Sequence, residues 1–158
     1  MYYTSKLKIV EFWRILKIEQ ILYSCGKKMM HDFGLQHWDN THFKIFAILC
    51  LTAIKNRIYY SCDHDGNYVA TFQVRITGTE CCFEKLATAP EFEGKGVGTY
   101  CLQQIENLAL QKGCLRVSCE VYDKSLHAIR FYEKRGYSVC GERATRKYTV
   151  LQMQKKLR

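Results

Sequence analysis

From Glu11 onward, apolar residues return at helical spacing: Phe12, Ile15, Leu16, Ile18 and Leu22, then Cys25, Met29 and Met30. This period predicts an amphipathic helix that ends near 32–34, with Gly34 as its C-cap. A short strand at 6–10 precedes it. The aromatic and polar stretch 34–42 reads as a loop, and Asp39, Asn40 or Thr41 can cap a second helix over about 41–55. Phe43, Phe46, Ala47, Leu49, Cys50, Ala53 and Ile54 surround that helix so broadly that it is expected to be largely buried. The period then switches to two. Residues 57–62 and 68–76 read as strands joined by DHDGN at 63–67. That loop lacks the third ligand and the length of a calcium loop, whereas Asp65 followed by Gly66 is a hairpin signal.

A second turn at 77–80 leads into a strand at 81–88. Pro90, the only proline, stops that strand, and the turn EGKGVG follows at 93–98. The next helix, 97–112, carries Leu102, Ile105, Leu108 and Ala109 on one face and is terminated by Gly113. A strand at 115–121, a helix at 124–136 closed by Gly136, and strands at 138–141 and 147–154 complete the chain. The order β-α-α-β-β-β-α-β-α-β-β predicts one mixed α/β (α+β) domain over residues 1–158. It holds a central sheet of about six to seven strands and about four helices.

Composition narrows the function classes. The net charge of +9 favours polyanionic ligands. The charge is scattered, and the nearest cluster, Lys155, Lys156 and Arg158, reads as a solvated face; this argues against a nucleic-acid surface, which stays the weakest alternative. Nine cysteines form no CxxC pair, so neither a metal site nor a disulfide framework is expected. The amino-terminal residues are charged where a secretory leader would be apolar, and the longest apolar run, 43–54, carries Lys44 and is too short to span a bilayer. Free thiols in a reducing cytoplasm, with no membrane partner, is the reading that follows.

The candidate chemistry centres on the glycine turn. Gly94, Gly96 and Gly98 remove Cβ atoms where a strand passes into a helix, and the first helical turn offers N–H groups with no partner inside the helix. With the positive end of the helix dipole, these donors suit a pyrophosphate. A Walker loop needs GxxxxGK before Ser or Thr, and a dinucleotide fingerprint needs GxGxxG; neither fits, because Lys95 is misplaced and the third glycine position is Cys101. A plain turn into a surface helix remains open on these residues alone.

The element order, the x-x-G-x-G turn after the central strand and AIRFYEKRGY near the end together resemble the GCN5-related N-acetyltransferase (GNAT) superfamily, over nearly the whole chain. The resemblance implies an acetyl-CoA-dependent transfer of an acetyl group to a primary amine of a small molecule, peptide or protein. It implies that Leu86, Ala87 and Thr88 pair with the pantetheine arm and supply an oxyanion donor. It also implies that Glu93, Gly94, Lys95, Gly96, Val97, Gly98 and Thr99 hold the pyrophosphate. Glu93 departs from the usual Gln or Arg, and Lys95 is the alternative source of positive charge. Ser125 stands where an asparagine of N-x-x-A commonly contacts the cofactor. Tyr132 matches the tyrosine that protonates the leaving thiolate. Glu120 lies twelve residues before Tyr132, a spacing similar to that of the base in ribosomal-protein N-terminal acetyltransferases, and Glu84 is a second candidate. Burial among apolar neighbours is expected to raise both carboxyl pKa values toward neutrality, and a water relay is the third option. His37, Trp38 and His42 are expected to line the substrate pocket, with the 141–147 hairpin opposite. A non-catalytic acyl-CoA sensor of the same fold is the competing reading. Many members of the superfamily pair through late strands, so a homodimer stays open.

Overall fold

The computed structural model describes residues 1–8, 11, 13–35, 41–55, 57–146 and 148–157. Seven strands and four helices follow in the expected order: β1 Tyr3–Lys6, α1 Arg14–Phe33, α2 His42–Ile54, β2 Ile58–Cys62, β3 Tyr68–Thr77, β4 Glu80–Thr88, α3 Val97–Gln111, β5 Arg116–Tyr122, α4 Leu126–Glu133, β6 Ser138–Ala144 and β7 Thr149–Lys156. The strands form one mixed sheet in the order β1-β2-β3-β4-β5-β7-β6. Contacts divide the chain into two compact units. One comprises Met1–Val74 with Lys85–Ile105, the other Arg75–Glu84 with Glu106–Arg158.

In the first unit, β1 pairs antiparallel with β2, and β2 with β3. β1 lies earlier than the expected 6–10, because Leu7 turns inward to the core (2% exposed) rather than continuing a strand, and 9 and 10 lie outside the described residues. α1 ends at Gly34, whose left-handed backbone (φ 65) returns its N–H to the Met30 carbonyl at 3.0 Å. Ile15, Ile18, Ile21 and Leu22 of α1 join Leu49 and Ala53 of α2, Ile58, Tyr60 and Cys62 of β2, and Ala87 and Ala89 in one cluster. The expectation of a largely buried α2 is corrected. Leu49 and Ala53 are buried, but Phe43, Ile48, Leu51 and Ile54 are exposed, since a helix apolar all round still buries only the side that meets its neighbours. The 63–67 loop is the expected turn: Asp63 Oδ1 accepts the N–H groups of Asp65 (3.0 Å) and Asn67 (2.9 Å).

In the second unit, β4 runs parallel to β5 from Glu80 opposite Arg116 to Phe83 opposite Cys119, and β5 pairs antiparallel with β7. β6 pairs with β7 through Ala144 opposite Thr149, which carries it beyond the expected end at 141. Alternation sets the buried face: Val117, Cys119 and Val121 of β5 point inward, while Arg116 and Glu120 are exposed. Phe83, Tyr132 and Tyr137 close the core with ring centroids 5.6 to 6.1 Å apart.

Candidate functional site

In the first unit, β4 passes through an unusual backbone before it reaches the glycine turn. Lys85 has φ 52, the only described non-glycine residue in the left-handed region. This conformation costs about 1–3 kcal/mol and lies just past the last β4–β5 rung, at Phe83. Leu86, Ala87 and Thr88 follow it, and Ala87 is buried. A 3-10 turn at Pro90–Phe92 then leads to 93–96. Gly94 (φ 74) and Gly96 (φ 79) are both left-handed, on either side of Lys95. Alternation of this kind turns successive N–H groups toward one concave side, a geometry suited to an anion. Lys95 N–H is directed at the Phe92 carbonyl (3.4 Å), and Tyr100 N–H donates to Gly96 O at 3.0 Å as α3 begins. Among the described residues no acceptor takes the N–H of Gly96, Val97 or Gly98.

Glu93 carries a charge of the wrong sign for a phosphate site, and its partner comes from α1. Lys28 Nζ lies 3.4 Å from Glu93 Oε2 and also binds Asp32. The hydrogen bond that Lys28 donates to Asp32 and the charge of Glu93 hold Lys28 in its ammonium form. The Lys95 ammonium sits over the Phe92 ring at 5.1 Å from the centroid.

The second unit holds Glu84, Glu120, Ser125 and Tyr132. Glu84 and Glu120 each follow the last paired β4–β5 rung. Glu120 is bound at both oxygens by Arg143 of β6, with Nε to Oε1 at 3.1 Å and the second guanidinium nitrogen to Oε2 at 2.5 Å. This corrects the expected direction of its pKa. The Arg143 guanidinium holds the carboxyl below its ordinary range, against burial, which pushes the other way. Replacing Arg143 by alanine is expected to move the Glu120 carboxyl upward, because burial then acts unopposed by that pair; a side-chain NMR titration of the variant reads it. Arg75 lies in the same field, its charge favoured by Cys82 first and then by Glu84 and Glu120.

Ser125 precedes α4 and is 2% exposed, yet its hydroxyl neither caps the helix nor meets any hydrogen-bond partner. A serine at a helix start ordinarily bonds the second or third N–H of the helix. Tyr132 is buried against Phe83, Phe131 and Tyr137. Burial first, and the nearby Cys119 second, raise its phenol far above the ordinary tyrosine range.

Of the expected pocket residues, His37 and Trp38 lie outside the described residues, and His42 is the first residue of α2. Sequence reasoning missed Lys28, Lys85 and Arg143, and it missed Glu19, which is buried and hydrogen-bonded to His42. Only Glu19 left a signal, a carboxylate in phase with Ile15, Ile18 and Leu22. Among the described residues no cluster of three or more His, Cys, Asp or Glu side chains could hold a metal ion. No helix among them is long and apolar enough to cross a membrane.

Comparison with known proteins agrees with this architecture. The YdhI protein of Bacillus subtilis is 30% identical over 113 residues, covering 71% of this chain and 68% of that one. The solved PaiA N-acetyltransferase of Thermoplasma acidophilum, in complex with coenzyme A, superposes with a TM-score of 0.75 at 17% identity, over 99% of both chains. The ribosomal-protein-S18-alanine N-acetyltransferase of Escherichia coli gives a TM-score of 0.70 at 16% identity, over 99% of this chain and 94% of that one. The acetyltransferase (GNAT) family model matches residues 17–137. The chain belongs to the acetyltransferase (GNAT) family.

Proposed function

We propose that this protein transfers an acetyl group from acetyl-CoA to a primary amine of a small molecule or a peptide. The observation that carries the reading is the turn at 93–98, where two left-handed glycines lead into a helix whose first N–H groups are unclaimed. Unclaimed N–H donors at a helix start suit a pyrophosphate. Ser125 is assigned to a further polar contact with the cofactor, and its hydroxyl has no partner among the described residues. When bound, acetyl-CoA supplies a thioester, an activated acyl carbon with a thiolate leaving group. The backbone N–H groups of 86–88 are assigned to the charge that develops on the carbonyl oxygen. Tyr132 is assigned to the proton that the sulfur takes. Glu84, Glu120 and a bridging water stay as candidates for the base; the ion pair with Arg143 counts against Glu120. All nine cysteines are free, which supports a reducing compartment such as the cytoplasm.

A catalytically silent acyl-CoA sensor is the second reading, favoured by the commitment of Glu120 to Arg143. Two measurements separate these readings. Thermal midpoints with acetyl-CoA, CoA and RNA come first: no CoA-specific rise would sink both CoA readings, and a rise with RNA alone would favour the nucleic-acid alternative. Thiol release across a panel of amines then divides enzyme from sensor. Glu93→Gln is expected to tighten acetyl-CoA binding, by about twofold to fivefold at low salt, because it removes a negative charge beside the turn. A salt series that shows no such gain would place the Glu93 carboxylate away from the phosphates.

A further inference from the structure

We propose that Glu19 and His42 form the proton acceptor of this enzyme, with His42 Nε2 as the base for the attacking amine and Glu19 as its positioning residue. This rests on the acetyltransferase reading above and names the base for its amine.

Glu19 lies on the apolar face of α1, and its side chain is 8% exposed, against 61% for His42. A carboxylate removed from water carries a penalty of several kcal/mol unless it is paired and hydrogen-bonded. Its partner among the described residues is His42, with Nδ1 2.6 Å from Oε1. A carboxylate can only accept, so Nδ1 carries the proton and donates it. The neutral ring then presents a lone pair at Nε2. The Tyr23 ring stacks on the imidazole at 3.6 Å between centroids and 22° between planes, which fixes its plane. The groups that face His42 from α1 are therefore Glu19 and Tyr23, with Lys27 over the Tyr23 ring at 5.5 Å; Lys44 follows on α2 itself. A buried acid and a largely exposed imidazole oriented by it form the arrangement that makes histidine a base in acyl transfer.

The pair belongs to the same unit as the glycine turn. Ile18 and Leu22, on either side of Glu19, share a core cluster with Ala87 and Ala89, and Phe46, one turn after His42, packs against that cluster.

An amine acceptor arrives as an ammonium ion. His42 Nε2 takes one proton and passes it to solvent. The freed nitrogen lone pair bonds to the thioester carbon, the C–S bond breaks, and the electron pair leaves on sulfur, which takes the proton assigned to Tyr132. The second proton lost by nitrogen restores the Tyr132 phenol through solvent.

The test uses the full chain. Imidazole 15N NMR should find neutral His42 protonated at Nδ1; protonation at Nε2 instead would overturn the proposal without any variant. His42→Ala should lower kcat about tenfold or more, leave the thermal shift with acetyl-CoA unchanged, and recover part of its rate in added imidazole. Glu19→Leu removes the acceptor that holds the proton on Nδ1. The 15N spectrum should then lose its preference for the Nδ1-protonated tautomer, and kcat should fall with KM unchanged. A merely structural role for Glu19 would change stability and leave the tautomer and kcat in place. A wild-type enzyme that acetylates amines while His42→Ala keeps full rate refutes this pair alone. A wild-type protein that releases no thiol with any amine refutes the acetyltransferase reading as well.

Discussion

Tyr132→Phe is expected to lower kcat about 100-fold, with little change in the binding of acetyl-CoA and no loss of stability. The ring makes its contacts through carbon: Phe131 at 5.2 Å, Phe83 at 5.6 Å and Tyr137 at 5.7 Å between centroids. Phenylalanine preserves all three. Burial first and Cys119 second raise the Tyr132 phenol, and no hydrogen bond holds its hydroxyl among the described residues. Removing a hydroxyl without such a partner costs little stability, so the thermal midpoint should hold or rise. The raised pKa also sets the sign of the pH dependence. The phenol is raised above the ordinary tyrosine range, so an alkaline limb of kcat at mildly alkaline pH is expected from another group. A weaker acid also gives less help to a departing thiolate, which places the effect at the low end of the range for general acids. A variant within about threefold of the wild-type kcat would remove Tyr132 from the proton step.

The order of elements was legible in the sequence because period, capping and turn residues act within a few positions of each other. α1 ends at Gly34, and the β2–β3 turn is organised by Asp63, both as local chemistry dictates. The errors have a common cause. The burial of α2 depended on which side met α1 and β2, and a helix apolar all round does not say which. The length of β6 depended on its pairing with β7. The site shows the same division. The glycine turn and the Tyr132 motif are contiguous stretches and could be read. The partners that decide charge came from distant positions: Lys28 for Glu93, Arg143 for Glu120 and Glu19 for His42. The left-handed backbone at Lys85 had no signal, because lysine is not a residue that favours positive φ.

Gly96→Asp tests the glycine turn itself, and acetyl-CoA binding should weaken by about 100-fold or more. Two separate effects contribute. At φ 79 any L side chain is strained, by roughly 1–2 kcal/mol, and the turn relieves that strain by rotating its N–H groups out of line. The new carboxylate then stands beside N–H donors that would otherwise face phosphate oxygens. A Cβ at this position meets no atom within 4 Å, so crowding is not a third cause, and the fold should survive the change. Gly96→Ala separates the two effects, since it keeps the strain and omits the charge. Calorimetric titration with acetyl-CoA should rank wild type above alanine and alanine above aspartate, with the alanine-to-aspartate gap shrinking as salt is raised. Strain has no such salt dependence. Equal affinities for wild type and Gly96→Asp would mean that the pyrophosphate lies elsewhere, and the unclaimed N–H groups of Val97 and Gly98 would then need another ligand.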